Sequence, residues 1–251
     1  MNTKAIIDLL YKIADDQLII GHRNSEWTGL GPILEEDIAF SSMAQDKIGQ
    51  SLVLYRMLND LGESDPDTIA FMRNANLFHN CQFVELPIGE FDFSIIRQFL
   101  FDTSEIIRFE MLSSSAYEPL ALASKKFKGE IKYHIMHANS FMKQLGNATE
   151  ESVRRLQNAL DTAMPYALGI FETSEYEDVL IDEGIFGGET TLRNKWTERI
   201  EEVISNTALK LPDIGNIEPK TGGRYGKHTA HLQPLLDEMA EVLRIDPGAD
   251  W

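Results

Sequence analysis

Residues 5–20 read AIIDLLYKIADDQLII, and the spacing of their aliphatic side chains decides the fold class. Ile6, Leu10, Ile13 and Ile20 recur at steps of three, four and seven, which places them on one face of an α-helix with Gln17 among them. Three further stretches behave alike. Phe40, Ala44, Leu54 and Leu58 form a second stripe, interrupted by Lys47 and Ser51. Ile95, Phe99, Ile106 and Phe109 form a third, broken by Asp102, and Phe127, Ile131, Ala138 and Phe141 a fourth that carries His134. A polar group on the face a helix buries costs free energy unless it is paired or binds something. Four such interruptions in a four-helix core point to a polar site at its centre.

The rest of the chain also reads as helix. Expected helices run from Asn2 to Gly21, from Pro32 to Leu61, from Asp65-Pro66 to Asn80, and from a capping Asp92 to Ser115. Pro119 opens another that stops at Gly146, and Thr149 begins the next, which Pro165 kinks or ends. Shorter ones follow over 174–182, 191–209 and 228–244. No alternating strand pattern of useful length appears, nor an internal repeat or low-complexity tract. The fold class is therefore all-α: a long-helix bundle with additional C-terminal helices. We expect a single domain over 1–251, with 1–147 as core bundle and 148–251 as helical extension.

Composition narrows the function. Cys81 is the only cysteine, so neither an intrachain disulfide nor a thiolate metal cluster is available. The formal net charge of −17, with no basic stripe, argues against nucleic acid and favours solubility. No run reaches membrane-spanning length and no signal-like N-terminus is present, so a cytoplasmic protein is expected.

A di-metal bundle of four helices needs a Glu on two helices and a Glu-x-x-His pair on each of the others, because residues three apart share a helix face. Here none of the six histidines has a glutamate three residues before it: the positions are Ile19, Asn76, Ile131, His134, Tyr225 and His228. An ordinary di-iron centre is not expected. His134-x-x-His137 and His228-x-x-His231 could each present two imidazoles, but further acids or cysteines are lacking nearby for zinc.

Glu26-Trp27-Thr28-Gly29, Asp46 with Gly49-Gln50, and above all the string Thr221–Leu232 (TGGRYGKHTAHL) carry a resemblance. With them the chain resembles the C-subunit family of bacterial phenylacetyl-CoA epoxidases, ferritin-like proteins of a multicomponent phenylacetate-degrading oxygenase, from the first helix to Trp251. The long-helix pairs also look like those of the family's di-iron catalytic A subunit. Carried over from that subunit, the resemblance implies that the metal-ligand positions fall at Gln17, Lys47, Gln50, Asp102, Ile131 and His134. Only Asp102 and His134 remain ligand-capable. The resemblance implies a catalytically silent, cofactor-free subunit that stabilises the A subunit, alongside a B subunit and an NADPH-dependent reductase. A homodimer is the expectation for the isolated chain.

Alternatives accompany each residue. Lys47 can either pair with Asp102 inside the bundle, replacing the metal charge, or swing its stem to the surface. His134 reads as a satisfied core histidine as readily as a ligand. Gly222-Gly223 suits a flexible lead-in to the last helix, or an amide cradle for phosphate. Trp27 is either an interface anchor or core packing, and Arg224, Lys227, His228 and His231 are candidate interface residues. An independent metalloprotein with an altered site, or a helical scaffold for another oxygenase, would share these features.

Overall fold

The computed structural model describes residues 1–246; Trp251, where the resemblance ends, lies outside them. Among the described residues there are ten α-helices: α1 Thr3–Ser25, α2 Leu34–Asp60, α3 Pro66–Phe71, α4 Gln82–Glu85, α5 Phe91–Leu112, α6 Glu118–Leu145, α7 Glu150–Leu168, α8 Glu177–Asp182, α9 Glu189–Ile204 and α10 Leu232–Ile245. The same residues contain no strand. The fold is all-α, and its long helices are consistent with a ferritin-like plan.

The backbone groups into two compact units that interleave along the chain. One comprises Met1–Ala5 with Ile88–Thr221, and the other Ile6–Pro87 with the chain from Gly222. In the first, α5 is the central element. Every residue from Ser94 to Phe109 is buried, because α6, α7 and α9 all pack on it. A helix covered on all sides must neutralise its charges internally. Arg108 accordingly donates to Glu105 at 3.0 Å and to Glu189 of α9 at 2.7 Å. Trp196 of α9 donates its indole N–H to the Leu100 carbonyl at 2.8 Å, and the Phe109 and Phe127 rings meet edge-on.

In the second unit α1 and α2 approach closely at Gly21. A Cβ there would stand 2.9 Å from Ile48 Cγ1 and 3.3 Å from the Ala44 carbonyl. No other residue fits without displacing a neighbour.

Several helix ends differ from expectation. The third helix stops at Phe71 and not at Asn80, although Asp65 does cap it, accepting from the Thr68 N–H at 3.0 Å. The buried Asp15 carboxylate draws the chain out of helix: it binds Arg73 at 2.5 Å and the His79 N–H at 2.8 Å. Pro32 precedes α2 by two residues, and Asp92 lies inside the first turn of α5 while Glu90 is at the cap position. Pro165 neither ends nor breaks α7, which continues to Leu168 before a short 3-10 turn. Thr149 caps α7 as expected, accepting from the Ser152 N–H at 3.2 Å.

Candidate functional site

The six ligand-register positions all lie in the interior. In the α1–α2 unit Gln17 and Lys47 are fully buried and Gln50 nearly so; in the α5 unit Asp102, Ile131 and His134 are fully buried. Lys47 therefore does not reach solvent, which removes the surface alternative for its ammonium. On α5 and α6 the structure brings Asp102 and His134 together, with His134 Nδ1 3.6 Å from Asp102 Oδ2. Gln98, one turn before Asp102, donates its amide to the same carboxylate oxygen. The carboxylate thus has an amide and an imidazole edge in a dry core, where it is held rather than exposed to a substrate.

These residues do not fit a bridged di-iron cluster. Two irons need several carboxylates, whereas the α1–α2 unit offers two amides and an ammonium, and the α5 unit one carboxylate, one imidazole and an aliphatic side chain. Among the described residues no three His, Cys, Asp or Glu side chains gather as a metal site. A surface hollow of about 780 Å³ in the α5 unit is lined by Asn147, Arg154, Gln157 and Lys210. None of the six positions lines it.

A second polar cluster escaped the sequence reading, and it accounts for the string Thr221–Leu232. Arg224 is buried and grips Asp16 of α1 with both terminal nitrogens at 2.8 Å. The Cys81 N–H also donates to Asp16, reaching Oδ1 at 2.7 Å. Glu85, fully buried, accepts from the Thr229 N–H at 2.7 Å, the Thr229 hydroxyl at 2.6 Å and the Asn80 amide at 3.0 Å. His228 lies against the same carboxylate, Nδ1 to Oε1 at 2.6 Å, with Nε2 3.0 Å from the Phe78 carbonyl. The Glu85 carbonyl in turn takes two bonds from Arg23, at 3.0 and 2.8 Å. The desolvation of Asp16 and Glu85 is thereby offset by charge-assisted bonds from one short segment.

Glycine makes that close seating feasible. A Cβ on Gly223 would lie 2.3 Å from the Asn80 carbonyl, and one on Gly226, at φ 73°, would lie 2.4 Å from that of Asn76. Gly222-Gly223 is accordingly a fixed, packed turn and not a flexible lead-in. The α-helix that follows this stretch is α10, which starts at Leu232, later than the expected residue 228.

The interface candidates fall into two groups. Trp27 is 7% exposed and packs on Phe40, and Arg224 and His228 are spent internally; Lys227 and His231 are exposed. The Asp16–Arg224 and Glu85–His228 partners were not legible because they are over a hundred residues apart in sequence; only the odd composition of the string hinted at them.

Electrostatics follow burial. Desolvation, reinforced by the Asp16 carboxylate, pushes the Cys81 thiol well above its ordinary value, so it is a packed and unreactive group. Desolvation and Asp15 push the Tyr55 phenol up, and it donates to Asp15 at 2.6 Å. Burial lowers His22 to about 4, leaving it neutral near pH 7.

The chain matches, over residues 1–251, the family described as Phenylacetic acid catabolic protein. It is 33% identical over 241 residues to the C subunit of 1,2-phenylacetyl-CoA epoxidase from Escherichia coli (strain K12), and the match covers 96% of each chain.

Proposed function

Since the chain belongs to the phenylacetic acid catabolic protein family, we propose that it is the non-catalytic C subunit of a 1,2-phenylacetyl-CoA epoxidase. In this reading it stabilises a di-iron catalytic A subunit in the cytoplasm, with a B subunit and a separate reductase completing the system. One observation carries it: the positions where a catalytic relative would hold metal are buried here, and four of the six carry Gln17, Lys47, Gln50 and Ile131. A protein of this plan that cannot hold the oxygen-activating metal retains structure and association as its work. Among the described residues no helix is long and apolar enough to cross a membrane.

The chain also has no dinucleotide fingerprint and no iron–sulfur cysteines, so electron input belongs to another protein. Affinity purification of the native assembly with mass spectrometry should recover an A-like chain bearing intact Glu-x-x-His pairs. Iron analysis of this protein alone should find no bridged pair. A cluster signature, or product formed by this chain with a reductase only, would refute the reading.

Within it, Lys47 and Asp102 are proposed to neutralise one another, the ammonium standing in for metal charge. Full burial of both supports this, because either charge buried alone is penalised by several kcal/mol. Asp102→Ala should destabilise by about 3–5 kcal/mol, and replacing both residues with apolar ones should cost much less. Additive effects in a double-mutant cycle measured by urea unfolding would show that the two are uncoupled. Surface contacts through Lys227 and His231, with Trp27, Arg224 and His228 holding that surface in shape, complete the proposed interface.

A further inference from the structure

The chain carries −17, yet the outward face of α6 is basic. Five of the twelve lysines lie on this one helix, with Glu118 and Glu130 its only acids, so α6 is formally +3. Lys125, Lys126, Lys132 and Lys143 are exposed. A local excess of this kind over so acidic a background marks a surface that meets opposite charge. Apolar side chains stand among the lysines: Leu122, Tyr133 and Met136 are 59%, 48% and 63% exposed. Apolar groups clustered inside a polar rim are the anatomy of a contact surface.

Spacing gives the shape of the occupant. Positions 122, 126, 129, 133, 136 and 140 alternate steps of four and three, the seam along which one helix lies against another. All six are exposed, so nothing among the described residues fills that seam. Gly129 sits near its middle, where a Cβ would meet nothing within 4 Å, and the fold of the chain does not require a glycine there. Glycine weakens a helix interior, and its use at such a place is close approach by a foreign backbone. Lys125, Lys132 and Lys143 follow at intervals of seven and eleven, which keeps them along one edge of the seam. From Leu122 to Lys143 the strip is about 32 Å long at a rise of about 1.5 Å per residue.

The lysine edge gives the charge of the occupant. A second copy of α6 turned antiparallel would set that edge against itself, and like charges face to face cost binding. Nucleic acid and anionic lipid present large negative surfaces, which the rest of a −17 chain repels. A helix with an apolar stripe and a run of Asp or Glu along one side meets only this strip. We propose that the outer face of α6 is the docking strip for an acidic amphipathic helix of a different protein. The proposal rests on the reading of this chain as one subunit among several, and adds which face a partner takes and what that partner presents.

Zero-length carbodiimide cross-linking of the native assembly should join Lys125, Lys132 or Lys143 to Asp or Glu of another protein, as read by mass spectrometry. Lys125→Glu combined with Lys132→Glu, folded by circular dichroism, should bind that protein about ten- to hundredfold more weakly at low ionic strength, and the difference should shrink as salt rises. Gly129→Leu adds bulk only outside the fold, so it should keep or raise the thermal midpoint while weakening the same binding about tenfold. Binding indifferent to these changes would overturn the proposal, as would cross-links joining α6 only to a second copy of this chain, or to nothing. So would a charge reversal whose sole effect is to stop the chain pelleting with phosphatidylglycerol vesicles. An A-like chain captured equally by wild type and variants would sink this proposal and leave the epoxidase reading standing. Capture through α6 of an acidic protein without Glu-x-x-His pairs, with no A-like chain present, would do the reverse.

Discussion

At the scale of single residues, two kinds of buried charge must be kept apart. Lys47 and Asp102 interrupt apolar stripes and announce themselves in the sequence, whereas Asp15, Asp16 and Glu85 look like ordinary helix or loop acids. The second group draws its partners from far along the chain. Arg224→Ala would strip Asp16 of its guanidinium and leave the Cys81 N–H beside it, and we expect a loss of about 3–5 kcal/mol in urea unfolding. Arg224→Lys should recover only part of it, since an ammonium cannot reproduce the two-pronged contact.

His22 gives a pH signature. Its folded value of about 4 lies below the ordinary 6.5, so the unfolded chain binds more protons between those limits. The contribution of His22 is complete above about pH 6.5 and is lost as pH falls toward 4, on the order of 3 kcal/mol in total. His22→Gln should flatten the stability curve in that window; an unchanged slope would show that other groups account for it.

At the scale of elements, helix identity was legible and helix ends were less so. All four long stripes are helices because apolar spacing at three and four residues survives any tertiary context that buries it. The helix expected from Asp65 to Asn80 failed beyond Phe71 because Asp15 recruits Arg73 and His79, which lie 58 and 64 residues after it. No local signal reports such a pull. Glycine makes a sharper element-level test, because the same residue type has opposite roles in two helices. Gly21→Ala should gain helix propensity yet destabilise by about 1–3 kcal/mol, since its Cβ would press on Ile48 and the α2 backbone. On α6, Gly129 has nothing within 4 Å of a Cβ, so Gly129→Ala should stabilise by about 0.5–1 kcal/mol. Thermal unfolding of the two variants should move in opposite directions.

At the scale of the molecule, the two compact units draw on distant stretches of chain, and residues after 147 divide between them. The C-terminal segment completes the α1–α2 unit, with α10 packed on α3 and on the turn Ala75–Leu77. Ending the chain at Thr221 would strip Asp16 and Glu85 of Arg224, His228 and Thr229 together. The truncated protein should therefore lose cooperative unfolding, measured by near-ultraviolet circular dichroism, and aggregate; a native-like transition would show the segment to be dispensable. By itself the sequence determined the all-α class, the buried register of Gln17, Lys47, Asp102 and His134, and the absence of a Glu-x-x-His pair, because helical periodicity and residue type are local properties. Only the tertiary structure decided that Asp102 meets His134 and Gln98 and that the glycine-rich string is a fixed latch. Those outcomes depend on which distant groups share a dry interior or are left facing water, and desolvation is a property of the packed chain.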